Sequence, residues 1–193
     1  TYTDTKTVDG DVGPHSYIYS SSGNTVTETC ANGCGHSATA TLTATDATYA
    51  GSPITTGAYV IYSDGWAGSQ EHGEITYSNN LNVGDATAKV TVAAKELVTT
   101  FKINPANIAE TTVTLDPESG TYNGSAYTPG VIVTFNGATL AEDKDYTLSW
   151  DSSDLTNAGS YTATITGKGN FKGTKNAVFS INPADIKGTV VTL

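Results

Sequence analysis

The sequence predicts an all-β protein built from two similar antiparallel β-sandwich modules. Short segments rich in Val, Ile, Thr and Tyr recur at even spacing and are separated by Gly and Asn, as is typical of strands joined by tight turns. No segment of useful length shows helical periodicity. The stretch FKINPANI at 101–108 returns as FSINPADI at 179–186, and each copy runs into a similar segment, TVTL at 112–115 and VVTL at 190–193. A pattern that returns at a fixed interval indicates an array of equivalent modules.

The composition excludes several classes of function. The 193 residues carry a net charge of −10, and all nine basic residues are Lys, which argues against nucleic acid because phosphates must be neutralised by basic side chains. No run of roughly 18 apolar residues occurs, so we expect no membrane-spanning segment. The chain opens on polar residues without a secretory signal pattern. Residues 184–193 read as the first strand of a truncated next repeat, so we expect a fragment of a longer protein.

Residues 1–36 are predicted to form a loose N-terminal arm followed by a β-hairpin. Alternation of side chains predicts strands over 15–20 and 25–30, with a turn between them. If the four intervening residues close the hairpin, His15 falls opposite Cys30. The prediction thus brings a histidine and a cysteine together.

Both cysteines and two of the three histidines lie in or next to this hairpin. His15 is predicted to approach Cys30, and Cys34 and His36 point the same way on an extended chain because they are two residues apart. Four such ligands suit a tetrahedral structural zinc ion, which leaves no open position for catalysis. The alternatives are a Cys30–Cys34 disulfide, which suits an extracellular protein, or two free thiols. With zinc or with a disulfide, the segment acts as a staple.

The first module, residues 37–104, holds the candidate ligand site. Its connection at 64–73 carries a Trp and a His among small and polar residues, and it shares almost nothing with its counterpart at 136–145 in the second module. Loops on a rigid sandwich are where function is usually carried. The candidate ligand-binding residues are Trp66, His72, Tyr62 and Tyr77. In the alternative hypothesis, Trp66 folds down and closes the end of a small core.

The second module, residues 105–183, repeats the same order of about seven strands with cleaner alternation. Asn136-Gly137 is a hairpin turn signal. In both modules the last strand ends at Asn-Pro, where proline removes a ladder donor and stiffens the joint. The residues predicted to face inward are Val131, Val133, Phe135, Tyr146, Leu148, Trp150, Tyr161, Ala163 and Ile165.

The segment NAGSYTA at 157–163 resembles the Gly-x-Tyr segment of immunoglobulin-like domains, in which the Tyr hydroxyl bonds back to the chain as a tyrosine corner. Together with YNG at 122–124, GKGNF at 167–171 and the Ile-Asn-Pro joint, it resembles the tandem bacterial Ig-like repeats often called YDG or MBG domains. The first module has Ala86 where the second has Tyr161, so a corner is expected only in the second.

This resemblance implies two tandem Ig-like antiparallel β-sandwiches, and the Cys/His segment resembles a short hairpin unit found beside such repeats. Repeats of this kind build stalks and binding arrays on surface proteins and secreted enzymes of Gram-positive bacteria. The family is defined by its scaffold, so the resemblance implies a location outside the cell without implying a ligand.

The sequence offers no catalytic set, because it has no Gly-x-Ser-x-Gly, phosphate loop or dinucleotide fingerprint. We therefore expect a non-enzyme. Three functions remain: adhesion or spacer modules of a surface or secreted protein, a carbohydrate-binding accessory module of an extracellular polysaccharide-degrading system, or binding of a host glycoprotein or immunoglobulin. We expect a monomer outside the cell whose partner is a protein or a glycan.

Overall fold

The structure is a computed structural model that describes residues 16–187. This part of the chain is nearly all β, as predicted, with several sheets and one short 3₁₀ helix at Ile108–Glu110. Nothing helical within it is long and apolar enough to cross a membrane. The predicted arm, the predicted zinc ligand His15 and the last segment at 188–193 lie outside the described residues.

The described chain divides into two compact units. The first contains the chain up to Thr45 together with Thr55–Asn79 and Asp85–Phe101. The second contains Asp46–Ile54, Asn80–Gly84 and the chain from Lys102 onward. The predicted Cys/His hairpin belongs to the first unit, where it is continuous with a larger sheet.

The strands up to the first Asn-Pro joint are β1 (Tyr17–Ser22), β2 (Thr25–Cys30), β3 (Ser37–Ala44), β4 (Ala47–Thr48), β5 (Ala58–Tyr62), β6 (Thr76–Ser78), β7 (Gly84–Val92) and β8 (Lys95–Asn104). One antiparallel sheet has the order β1-β2-β3-β5, and a second has the order β4-β8-β7-β6. Alternation determines which side chains are buried: Ala38, Ala40 and Leu42 of β3 lie in the core, while the Thr residues between them are more exposed.

The register of the N-terminal hairpin differs from the prediction. Ser22 pairs with Thr25, and Tyr17, rather than His15, lies opposite Cys30. The predicted four-residue loop is wrong because the strand continues to Ser22 and the chain reverses over two residues. Gly23 supplies the positive φ, 59°, that such a short turn requires.

The later strands are β9 (Ala106–Asn107), β10 (Thr112–Asp116), β11 (Ser119–Thr121), β12 (Gly130–Phe135), β13 (Ala138–Thr139), β14 (Tyr146–Trp150), β15 (Gly159–Gly167), β16 (Phe171–Lys172) and β17 (Thr174–Asn182). A three-stranded sheet has the order β10-β12-β13, and a four-stranded sheet has the order β11-β17-β15-β14. A short parallel pair joins β9 and β16. Both copies of the repeated stretch end a strand at Asn before Pro, as predicted.

The core of the second unit draws side chains from both of its larger sheets. Val133 and Phe135 of β12 pack with Tyr146 of β14 and with Ala163 and Ile165 of β15 in one buried cluster. These residues belong to the predicted inward set, so alternation identified this core. Burial of such aliphatic and aromatic side chains is the main stabilising contribution to a domain of this size.

The predicted tyrosine corner is present in the second unit. The Tyr161 hydroxyl donates to the carbonyl oxygen of Asn157 at 2.8 Å. A second tyrosine, Tyr127, donates to the Thr121 carbonyl at 2.7 Å and accepts from the Thr121 N–H at 3.1 Å. These contacts tie the loops before β12 and β15 to the neighbouring backbone.

The repeated stretch forms a parallel pair with an earlier strand of its own copy. In the first copy, β4 pairs with the end of β8, so that Ala47 lies opposite Ile103 and Thr48 opposite Asn104. The N–H of Tyr49 then donates to the Asn104 carbonyl at 2.9 Å.

The second copy contains the same arrangement. Here β11 pairs in parallel with the end of β17, so that Gly120 lies opposite Ile181 and Thr121 opposite Asn182. The N–H of Tyr122 donates to the Asn182 carbonyl at 2.8 Å. Both parallel pairs lie in the second unit, and the two copies of the repeated stretch share this hydrogen-bond pattern as well as their sequence.

Candidate functional site

The two cysteines form a disulfide that joins the end of β2 to the connection before β3. The Cα atoms of Cys30 and Cys34 are 5.8 Å apart, within the usual range for a disulfide. The disulfide alternative predicted from the sequence is thus the one that the structure contains. The zinc prediction has no support, because disulfide sulfurs are not thiolate ligands. Across residues 16–187 no group of three or more His, Cys, Asp and Glu side chains is placed to hold a metal ion.

Next to the disulfide lies a buried acid that was not predicted as a site residue. Glu28 is on β2, and its side chain is 0% exposed. It shares the inward face of the strand with Val26, two residues earlier, because side chains alternate along a strand. The signal was available in the sequence as a charged residue at a position where alternation requires an apolar one.

The Glu28 carboxylate accepts four hydrogen bonds. One oxygen, Oε1, lies 2.7 Å from His36 Nε2 and 2.9 Å from the Ala67 nitrogen. The other, Oε2, lies 3.0 Å from the Tyr19 hydroxyl and 2.9 Å from the Gly68 nitrogen. A carboxylate has about four acceptor positions, so this buried charge is fully satisfied.

These hydrogen bonds determine how the acid titrates. Burial by itself raises the pKa of Glu28, but hydrogen bonds from the Ala67 N–H, His36, Tyr19 and the Gly68 N–H together lower it below its ordinary value of 4.5. Burial, reinforced by the hydrogen bond to this carboxylate, raises the pKa of Tyr19. The ionised acid and the neutral phenol are the stable pair at neutral pH.

Glu28 holds the middle of the connection at 64–73, and the Gly73 N–H, which donates to the Thr91 carbonyl at 3.0 Å, holds its end. Two successive backbone N–H groups of this connection, those of Ala67 and Gly68, donate to it from about 40 residues away in sequence. A Cβ on Gly68 would lie 2.9 Å from the Tyr19 hydroxyl and 3.1 Å from Glu28 Oε2. The close approach of the backbone to the carboxylate therefore depends on glycine.

Trp66, a residue of this connection, is buried, with 9% of its surface exposed. Its ring centroid is 5.8 Å from that of Tyr19 and 5.4 Å from that of Tyr62. The indole N–H donates to the Ser69 carbonyl at 3.2 Å. This matches the packing alternative, in which the ring closes the end of the core. The ring offers no open face for a ligand.

The other candidate ligand residues are divided between different surroundings. Tyr62 packs on Trp66, and its hydroxyl is buried without a hydrogen-bond partner among the described residues. Burial raises the pKa of Tyr62. His72 is exposed, and its Nδ1 lies 2.8 Å from the Gly73 carbonyl. Tyr77 packs edge-on against Phe101. Of these candidates, the Tyr62 and Trp66 rings are thus packed against each other.

The Glu28 cluster ties several segments of the first unit together. A histidine oriented by a carboxylate is one part of a hydrolytic triad, which also needs a nucleophile. Here both sulfurs are held in the disulfide, and the carboxylate uses its acceptor positions on two backbone N–H groups, a phenol and His36. Tyr17 packs edge-on against the His36 ring, 5.1 Å away. The cluster therefore joins β1, β2, the segment just before β3 and the connection at 64–73.

A scan against protein-family models finds no match for this chain, and a search of curated proteins finds none either. The contacts described above are therefore the evidence for function.

Proposed function

We propose that this chain is a non-catalytic section of a bacterial cell-surface or secreted protein, in which Ig-like β-sandwich repeats act as spacers that resist tension. The observation that carries the proposal is the parallel pairing of an early strand with the last strand in each copy of the repeat, β4 with β8 and β11 with β17. A surface spacer must keep its length when its two ends are pulled apart.

Parallel pairing near both ends of a repeat provides that resistance. Tension along the second copy reaches β11 after β9 and β10, and it then pulls β11 and β17 in opposite directions along their axes. The hydrogen bonds between them, including the one from the Tyr122 N–H to the Asn182 carbonyl, are then loaded together. An antiparallel pair pulled from one end opens one bond at a time. The rigid Asn-Pro joint directly after each last strand transmits the force to the next element.

The Glu28 cluster supports the non-catalytic part of the proposal. Its acid, its histidine and both cysteines serve internal hydrogen bonds and a disulfide. A disulfide is also typical of proteins that work in oxidising surroundings outside the cell. Binding of a host glycoprotein or immunoglobulin is a separate hypothesis that pull-down from host secretions would test.

Single-molecule pulling on the full chain between handles at its two termini tests the spacer role. Tyr122→Pro removes the N–H that donates to Asn182, and Tyr122→Ala is the matched control because it removes the same ring and keeps the N–H. We expect the proline variant to lower the unfolding force of one repeat, identified by a length gain of about 3.3–3.6 Å per released residue. Equal unfolding forces for the two variants would show that the parallel pair does not carry the tension.

A further inference from the structure

The second unit contains an open cleft whose lining includes none of the residues of the parallel strand pairs. Its volume is about 500 Å³. It lies between the end of β14, the loop that follows β14 and the segment just before β12. Its apolar wall is formed by Tyr127, Pro129, Leu148, Trp150 and Leu155, and its polar lining by Thr128, Ser149, Ser152 and Ser153.

The aromatic wall of the cleft is held in place before any ligand arrives. Tyr127 packs against the buried Phe179 at a centroid distance of 5.5 Å, and its hydroxyl is hydrogen-bonded twice to Thr121. Trp150 packs against the same buried cluster, and both rings remain partly exposed. A rigid aromatic surface binds with little loss of conformational entropy.

The loop on the other side of the cleft is also fixed by its own contacts. The Ser152 hydroxyl donates to the Asp154 carbonyl at 2.9 Å and accepts from the Asp154 N–H at 3.1 Å. Leu155 is buried, and its carbonyl accepts from the Tyr127 N–H at 3.1 Å. This last bond links the segment before β12 to the loop after β14, so the cleft has a defined width.

Several neutral polar groups in the cleft are left for a ligand. Within residues 16–187, the indole N–H of Trp150 and the hydroxyls of Thr128, Ser149 and Ser153 make no hydrogen bond to the protein and are not buried. None of the lining residues carries a charge. An indole N–H usually has a partner where its ring is largely covered.

From these features we infer that the cleft binds a neutral saccharide. A sugar ring has an apolar C–H face that packs on Trp150 and Tyr127, and its rim of hydroxyls pairs with neutral donors and acceptors. Pockets of about 300–1,000 Å³ with an apolar wall and a few fixed polar groups are typical of small-ligand sites, and this volume accommodates roughly one or two sugar rings. An anionic sugar is disfavoured, because the cleft offers no cation and the adjacent residues Asp151 and Asp154 are acidic.

Titration calorimetry of the full chain tests this inference. The probes are linear oligosaccharides of glucose, xylose, mannose and galactose, a sialylated oligosaccharide, a uronic-acid oligosaccharide and a proline-rich peptide. We expect at least one neutral oligosaccharide to bind with a Kd of about 1 mM or tighter. Absence of binding by all the neutral sugars, or binding only of an acidic sugar or of the peptide, overturns the inference.

Variants connect binding to the cleft. Thr128→Val and Ser153→Ala each remove one free hydroxyl and should weaken binding about 3- to 10-fold. Ser160→Ala is the matched control, because Ser160 is exposed in the same unit and does not line the cleft. Trp150→Ala should abolish binding, and circular dichroism shows whether that variant still folds. Wild-type affinity in both hydroxyl variants would overturn the inference even where a sugar binds, and it would leave the spacer proposal untouched.

Discussion

The connections at 64–73 and 136–145 follow β5 in the first unit and β12 in the second, and they are held by different means. The first is held through Ala67 and Gly68, whose N–H groups donate to the buried Glu28. The second turns at Asn136 and Gly137, both with positive φ, and it is held by backbone hydrogen bonds within the connection and its flanking strands together with hydrogen bonds to Ala50 and Lys168. The first connection therefore depends on a buried charge, whereas the second, whose residues are exposed or half-buried, depends on its turn geometry and on surface hydrogen bonds.

Substitutions that alter the two connections should therefore affect stability in different ways. A local turn loses its own geometry when it is altered. A buried carboxylate with four donors leaves several polar groups unpaired when it is removed, and each costs about 1–3 kcal/mol. Trp66 belongs to the connection at 64–73 and is buried, so release of this connection exposes part of the core of the first unit.

The largest expected effect comes from Glu28→Gln. The amide keeps the shape but presents an NH₂ group to donors that need an acceptor, so we expect a loss of about 2–5 kcal/mol in the free energy of unfolding. Urea unfolding followed by circular dichroism measures it. The matched control is Glu74→Gln, an exposed acid of the same unit, which should change stability by less than about 0.5 kcal/mol. Equal effects for the two variants would contradict the structural tie.

The same contrast explains how much could be predicted from the sequence. Strand alternation identified the inward residues of the second unit, such as Val133 and Ile165, and the turn signal at 136–137 was local. The hydrogen bond of Tyr161 followed from a short motif. The partners of Glu28 are up to 40 residues away, and no local rule pairs a strand residue with the backbone of a distant loop.

The hairpin register shows a second limit. A slip of the turn by two residues keeps the same side chains facing inward, because the period of a strand is two. The face shared by Tyr17 and Tyr19 was therefore predicted correctly, while the residue opposite Cys30 was wrong. The choice between zinc and disulfide could not be made from residue types alone, since thiols serve both.

Lowering the pH should have a smaller effect on the free energy of unfolding. The pKa of Glu28 is lower in the folded chain than its ordinary value of 4.5, so below that pH the unfolded chain takes up a proton more readily than the folded one. The stability that Glu28 contributes is fully present above about pH 4.5 and is lost as the pH falls through the folded-state pKa. Urea unfolding of wild type and Glu28→Gln between pH 7 and pH 3 measures this, and the difference between the two curves removes the effect of other acids. Parallel curves would show that Glu28 is not the titrating group.

The smallest effects are expected at the two loop glycines, and they test the comparison most directly. Gly68→Ala places a methyl group against Tyr19 and Glu28 and should cost about 1–3 kcal/mol. Gly137→Ala meets nothing within 4 Å, so its cost is only the positive φ of 82°, about 1–2 kcal/mol. The informative measurement repeats both substitutions in the Glu28→Gln background. The cost of Gly68→Ala should shrink there, because part of that cost is the disturbed hydrogen bond from the Gly68 N–H to Glu28, which the Gln side chain has already weakened, whereas the cost of Gly137→Ala should add. Additive behaviour at both glycines would mean that the connection at 64–73 does not depend on the buried carboxylate.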